Sequence, residues 1–451
     1  MFEPVVLWTD ALVYVLVASV VGFGWYVSRR EHLREQWVRV VRSSLGAGAL
    51  VVLLAYVVIG LLDSVHFRPA LPSTGPNQPV QYSTQVLSLL DVLLTPLRTG
   101  GEQTYSAPFA AYSYVKETVR LPDGKEERIY PRLKHGGAQL TDPKTQRIPD
   151  ILRRSGWGAL EALGLTVLVF AGLSLLLARR HHVSAREMAL RLLRGRTEIP
   201  WRVVMAVLAV VILLVMLSVN LAPYYHIFGT DKVGEDVYYQ TLKSIRTGLV
   251  IGTLTTLVML PFAIMLGIMA GYFRGWVDDV IQYVYTTLNS IPGVLLIAAA
   301  VLMLQVYMAN HPNMFDTNTQ RADVRLLGLC VILGITNWTG LCRLLRGEAL
   351  KLVEADYVQA ARAFGVGDFK IMVRHMVPNV MHILSYVGVG VDPTMNSWGN
   401  MINRARLEMA RDPIVWWSLL AAFLFMVGLV LAANLFADAV QDAFDPRLRE
   451  R

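Results

Sequence analysis

Along this chain, apolar runs of about twenty residues alternate with short polar or basic stretches, and that length crosses roughly 30 Å of hydrocarbon. Eight such runs stand out, near residues 5–27, 45–62, 157–178, 203–221, 248–270, 280–304, 326–342 and 415–435. Between the second and third lies a polar interval, 63–156, broken by proline and glycine. Within it, Leu121, Pro122, Asp123 and Gly124 form a turn sequence, and Tyr105, Tyr112, Tyr114, Val119, Ile129 and Tyr130 favour short strands around it. The pattern predicts an all-α polytopic membrane protein of about eight or nine transmembrane helices. A small exported domain, with room for some β structure, is inserted after the second.

Basic residues orient these spans. Arg29, Arg30, Arg34, Arg39 and Arg42 follow the first span, which places the N-terminus outside and the first loop in the cytoplasm. Arg179, Arg180, Arg186, Arg191, Arg194, Arg196 and Arg202 mark the loop after the third span as inside, and Arg447, Arg449 and Arg451 favour a cytoplasmic C-terminus. Composition agrees: 54% of the 451 residues are hydrophobic and 17% charged, with a mean hydropathy of +0.44. The net charge of +8 is therefore an excess on inner loops, not a nucleic-acid surface. The first span lacks the basic lead of a cleavable signal peptide.

Little in the sequence suggests bond-making chemistry. Cys330 and Cys342 lie on one helix, roughly 18 Å apart, too far to bridge, and read as packing residues. His66 and His135 stand alone and read as solvated, and His181 with His182 reads as a surface pair. Asp10 and Glu161 fall near span ends, where an interfacial or snorkelling carboxylate is expected. Asn289, Asn337 and Thr339 are polar groups within spans six and seven. They are candidates for lining a hydrated path, with hydrogen bonding between helices as the alternative use.

The stretch 346–379 is different in kind. It is charged and helix-prone, with Leu350, Val353, Glu354, Tyr357, Val358, Ala361 and Phe364 at three- and four-residue intervals, a largely apolar face. Gly365 to Gly367 break the helix, and Asp368 is placed to cap a second, short one ending near Pro378. Pattern alone admits two uses for such a hairpin, an amphipathic helix on the lipid surface or a docking site for another protein.

Ordered motifs favour the second. Gly229-Thr230-Asp231 with Gly234, Asp236 and Val237 comes first, then Ala270 to Trp276 (AGYFRGW). Tyr357 to Ala363 (YVQAARA), Gly365, and Arg374 to Asn379 (RHMVPN) follow, then Ser397 to Met401 (SWGNM) and Asp445 to Arg449 (DPRLR). In this order, residues 203–451 resemble the C-type permease subunit of the dipeptide, oligopeptide and nickel ABC importers. The resemblance implies an ATPase-coupling loop at 346–379 that involves Glu348, Tyr357, Gln359, Ala360, Ala361, Arg362, Gly365, Arg374, His375 and Pro378. Gln359 stands where many relatives carry Glu. It also implies a bacterial inner-membrane assembly with a second homologous permease, two ATPase subunits and a periplasmic substrate-binding protein. ATP and magnesium would sit on the partners, because no GxxxxGK[ST] loop occurs here. Residues 1–62, with two extra spans, the exported insert 63–156, and the third span with its basic loop, 157–202, lie outside the resemblance.

One departure stands out. The family has a full span after Asn379, but here only 379–391 precede the next motif, roughly 20 Å as helix. Eight spans would end outside and nine inside, so the count conflicts with the basic C-terminus, and a re-entrant segment is the remaining alternative. A receptor or scaffold derived from a shortened permease is the rival function. An ion-coupled carrier fits less well, for want of paired intramembrane carboxylates.

Overall fold

Apolar runs become helices because, without water, backbone N–H and C=O groups must be satisfied inside the segment. The structure, a computed structural model, describes residues 2–71, 81–120, 126–195, 197–311, 317–377, 398–409, 411 and 413–444. Among these, seven helices are long and apolar enough to cross a membrane: α1 (Trp8–Ser28), α3 (Ser44–Ser64), α6 (Pro143–His181), α8 (Trp201–Leu221), α9 (Val237–Phe273), α12 (Asn318–Val353) and α16 (Trp417–Phe444). An eighth span arises if α10 (Gly275–Ser290) and α11 (Gly293–Asn310) count together; they meet at an 81° bend. Pro292 stands at that bend, where its ring and missing N–H end the helix before it. The short segment after Asn379, where the family has a full span, lies outside the described residues.

The remaining helices are short. Among the described residues they are α2 (Glu31–Arg42), α4 (Leu89–Leu93), α5 (Thr95–Thr99), α7 (Ala185–Leu193), α13 (Asp356–Ala363), α14 (Asp368–Ile371), which continues as a π-helical turn over Met372–Met376, and α15 (Trp398–Glu408). The chain divides into two compact units.

The first unit comprises Met1–Ser19, His66–Leu87 and Gly248–Asp392. Strand β1 (Phe2–Val5) pairs antiparallel with β2 (His66–Pro69), Val5 opposite His66. His66 is not the solvated residue expected: it is buried, and its Nδ1 lies 2.8 Å from the carboxylate of buried Asp10. Burial of one polar group required the other as partner, a pairing invisible in a one-dimensional pattern. The main core of this unit joins the C-terminal half of α9 to α12, with Ile268, Tyr272, Leu345 and Ala349 all buried. Two glycines one turn apart permit this. A Cβ on Gly271 would come within 2.4 Å of the Ala349 Cβ, and one on Gly267 within 2.8 Å of the Leu345 Cβ. Small residues at i and i+4 let two backbones approach closely, as at packed membrane helices.

The second unit comprises Val20–Val65, Ser88–Thr247 and Pro393–Arg451. Here α6 packs on α8, and α3 packs on both α8 and α16. β3 (Glu117–Arg120) pairs antiparallel with β4 (Glu126–Ile129), Val119 opposite Glu127, while the turn expected at 121–124 lies outside the described residues. The tyrosines at 105, 112 and 114 lie outside these strands. Helix α6 starts well before its apolar run because Asp142 accepts from the Lys144 N–H (3.1 Å) and Pro143 fits the first turn.

Candidate functional site

Before its glycine turn the charged stretch is two helices, the end of α12 and α13, not one continuous amphipathic helix. α12 ends at Val353, and the N–H groups of Glu354 and Ala355 turn back to Lys351 and Leu352. Ala355 is extended (φ −71°, ψ 138°) and starts α13 without a side-chain cap. Neither glycine nor proline marks this break, which explains why periodicity ran through it.

At the other end of α13 the sequence dictates the turn. Gly365 has φ 72°, the left-handed conformation in which a Cβ would be strained. Its N–H bonds to Arg362 O (3.0 Å), and the Val366 N–H bonds to Ala361 O (3.1 Å). This pair of bonds is the Schellman motif, with Ala361 and Val366 supplying the accompanying apolar contact against the core. Asp368 does not cap α14; Gly367 holds that position. Instead, the Tyr272 hydroxyl donates to Asp368 at 2.6 Å, tying the hairpin to the end of α9.

The hairpin has a buried side and an open one. Val358, Ile371 and Met376 are fully buried with Ala349 and Tyr272. Opposite them, Phe364 is 87% exposed and Phe369 76% exposed, on either side of the glycine turn. Phe364 thus leaves the apolar face to which periodicity assigned it. The two rings thus stand open on either side of a glycine turn whose other side is packed into the core.

The other expected residues distribute around this mount. Tyr357 is 44% exposed and its ring lies 6.4 Å from that of half-buried His375. Gln359 and Ala360 are exposed, and the Gln359 amide donates to Glu354 O at 3.3 Å. Ala361 is half-buried against the core, and the Arg362 guanidinium lies 5.3 Å from the centre of the Tyr272 ring. Glu348 pairs with Lys351 at 2.7 Å, and Arg374 is exposed. Pro378 lies outside the described residues. Below the hairpin, Arg346 grips Asp278 through two bonds of 2.6 Å. Thr339 donates to Asn289 at 3.0 Å, a bond between α12 and α10, whereas Asn337 is exposed and apart from them.

A second cluster, in the other unit, went unread in the sequence. His226 is buried between two carboxylates, with Nδ1 2.6 Å from Asp236 and Nε2 3.4 Å from Glu102. Burial alone would lower the imidazolium, but Asp236 and Glu102 outweigh it and push it up to about 9. Burial likewise raises Glu102, yet His226 and the N–H groups of Gly136, His135 and Lys134 bring it down to about 2. The cluster pins the inserted segment to the loop before α9. Close by in sequence, Lys243 reaches Asp63 at 2.5 Å and Asp91 at 3.0 Å. Burial raises the Asp91 carboxyl, but Lys243, the Ser88 N–H and Tyr239 together hold it below its usual range.

This unit also contains a cavity of about 830 Å³ with mixed charge on its walls, including Asp231, Lys232, Glu235, Arg404 and Arg411. Tyr105, from the insert, donates to Glu408 at 2.9 Å within it. Burial raises the Glu408 carboxyl, and the Tyr105 bond only partly offsets this. Groups of three or more His, Cys, Asp or Glu able to hold a metal ion are absent among the described residues.

Comparison with known proteins meets the hairpin from another direction. Residues 263–384 match the family described as binding-protein-dependent transport system inner membrane component. The chain is 32% identical over 243 residues to the glutathione transport system permease protein GsiD of Pectobacterium atrosepticum, covering 50% of this chain and 73% of the relative. It is 28% identical over 242 residues to the dipeptide transport system permease protein DppC of Bacillus subtilis, covering 50% and 69%. The GsiD protein of an Escherichia coli strain is also 28% identical, over 243 residues. With its multiple apolar spans and a match that contains the whole α12–α14 hairpin, the chain belongs to the inner-membrane permease components of binding-protein-dependent transport systems.

Proposed function

We propose that the chain forms one half of the translocation path of an ATP-driven importer for dipeptides, oligopeptides or a related solute, and that it docks a separate ATPase through the α13–α14 hairpin. A second homologous permease, two ATPase subunits and a substrate-binding protein complete the assembly. The N-terminus lies in the periplasm and the C-terminus in the cytoplasm, so that the arginine-rich loops face inward. Residues 203–451 are the permease core, and 1–202 are an addition to it.

One observation carries the docking reading: Phe364 and Phe369 stand exposed on a hairpin whose opposite side is fully buried. Such a mount transmits displacement instead of absorbing it. Closure of nucleotide domains gripping the aromatics would move α12 through its packed neighbours. Partners that bind solute on one side and hydrolyse ATP on the other agree with the family membership.

The test uses the assembled complex in vesicles. Phe364→Asp with Phe369→Asp is expected to abolish solute-stimulated ATP hydrolysis while leaving the fold, read by hydrogen exchange in α12, unchanged. Stimulation that persists in the double variant overturns the docking assignment. A purified chain with no ATPase subunit attached would favour the receptor or scaffold.

A further inference from the structure

We propose that the junction of α6, α7 and α8 is a binding site for an anionic glycerophospholipid, with the phosphate held by Arg180 and Arg191 and an acyl chain lying between α6 and α8.

The junction is built by a backfolded helix. α6 ends with His182 in the left-handed conformation (φ 52°), and Ser184 caps α7 through the Glu187 N–H. Met188 and Leu192 of α7 are then buried against Ala178, with Trp201 of α8 packed on the same cluster. Two adjoining cavities result, and Trp201 is a wall of both.

Their chemistries are complementary parts of one molecule. The first, about 400 Å³, carries Arg180, His181, Arg191, Thr197 and Glu198 on its walls. Its one acidic group is already satisfied, because Glu198 pairs with Arg42 at 2.7 Å. Arg191 pairs with Glu187 at 2.6 Å, whereas neither Arg180 nor His181 has an ion pair among the described residues. The cavity is therefore net cationic and short of an anion. The second, about 410 Å³, is apolar over most of its wall, with Val167, Phe170, Leu192, Met205 and Ala206, has Arg202 as its one charged residue, and lies along the α6–α8 pair.

A free phosphate would leave the apolar wall of the second cavity unused, and an uncharged lipid the cations of the first. A lipid with a net negative headgroup uses both, and an indole at the boundary between polar and apolar parts is where tryptophan is favoured in membranes. Basic pockets between membrane helices select such headgroups by charge.

The experiment is native mass spectrometry of the full chain in its complex, in detergent supplemented with phosphatidylglycerol or phosphatidylcholine. The native protein is expected to retain phosphatidylglycerol, and Arg180→Gln with Arg191→Gln is expected to weaken that retention by on the order of tenfold or more, since two charge-assisted contacts to one headgroup are lost. Arg186→Gln with Arg194→Gln removes the same charge from the same loop but from neither cavity wall, and is expected to change retention by less than about twofold. Equal losses in the two variants, or equal retention of phosphatidylcholine, overturn the proposal. Displacement of the lipid by inorganic phosphate also overturns it, in favour of a free-anion site.

Discussion

The Tyr272 hydroxyl, at the end of α9, donates to the Asp368 carboxylate, at the start of α14, over 2.6 Å. Tyr272 is 2% exposed, so its ring is held by packing and its hydroxyl by this single charged acceptor. Tyr272→Phe keeps the packing and removes the bond, at an expected cost of roughly 1–2 kcal/mol locally. Hydrogen exchange should speed up at the amides of 368–376 and not along α9. Unchanged exchange there would mean that the buried face alone holds the hairpin.

Gly365 is open to substitution by volume, since nothing lies within 4 Å of an added Cβ, yet its φ of 72° is strained for any other residue. Gly365→Ala should cost about 1–2 kcal/mol in hairpin stability, and Gly365→Val more. If the turn is what aims Phe364 at an ATPase, solute-stimulated hydrolysis should fall in the same order.

The His226 cluster sets a pH window. Its imidazolium, raised from 6.5 to about 9, contributes stability that is complete below about 6.5 and is lost as pH climbs through about 9. Glu102, lowered from 4.5 to about 2, contributes above about 4.5, and that share is lost as pH falls through about 2. The clamp is thus strongest between roughly pH 4.5 and 6.5. Thermal unfolding of His226→Gln against the native protein should show a gap of about 3 kcal/mol near pH 6 that closes towards pH 10. A gap that does not vary with pH would show that shape, not charge, is what His226 contributes.

Lys243 holds two carboxylates that are almost wholly buried, Asp63 and Asp91. Lys243→Met should destabilise the protein by about 3–5 kcal/mol, because both anions stay behind unpaired. Adding Asp63→Asn should recover part of the loss. The midpoint of thermal unfolding in detergent measures both effects, and absence of recovery would refute pairing as the cause.

Spans and the pairing of β3 with β4 were legible because each obeys a local rule. Twenty apolar residues need a helix in hydrocarbon, and the two strands, Glu117–Arg120 and Glu126–Ile129, are near neighbours in sequence. The Gly365 turn was legible for the same reason. His226 with Glu102 and Asp10 with His66 were not, since each pair joins distant segments and neither partner has a distinctive neighbourhood in sequence. The break at Ala355 also escaped, as it carries no residue that forbids helix. Phe364 fitted an apolar stripe by spacing, but the stripe ended where the helix axis changed at Ala355.

The contact between Gly271 and Ala349 makes one further demand. A built Cβ at 271 overlaps the Ala349 methyl at 2.4 Å, so the two positions share room for only one methyl group. Gly271→Ala should therefore impair the protein, and Ala349→Gly should restore it, with close to the original volume redistributed across the seam. Descendants of this chain can exchange the two residues, but they cannot enlarge both: the seam has a fixed capacity, and drift at one position is licensed only by a loss at the other.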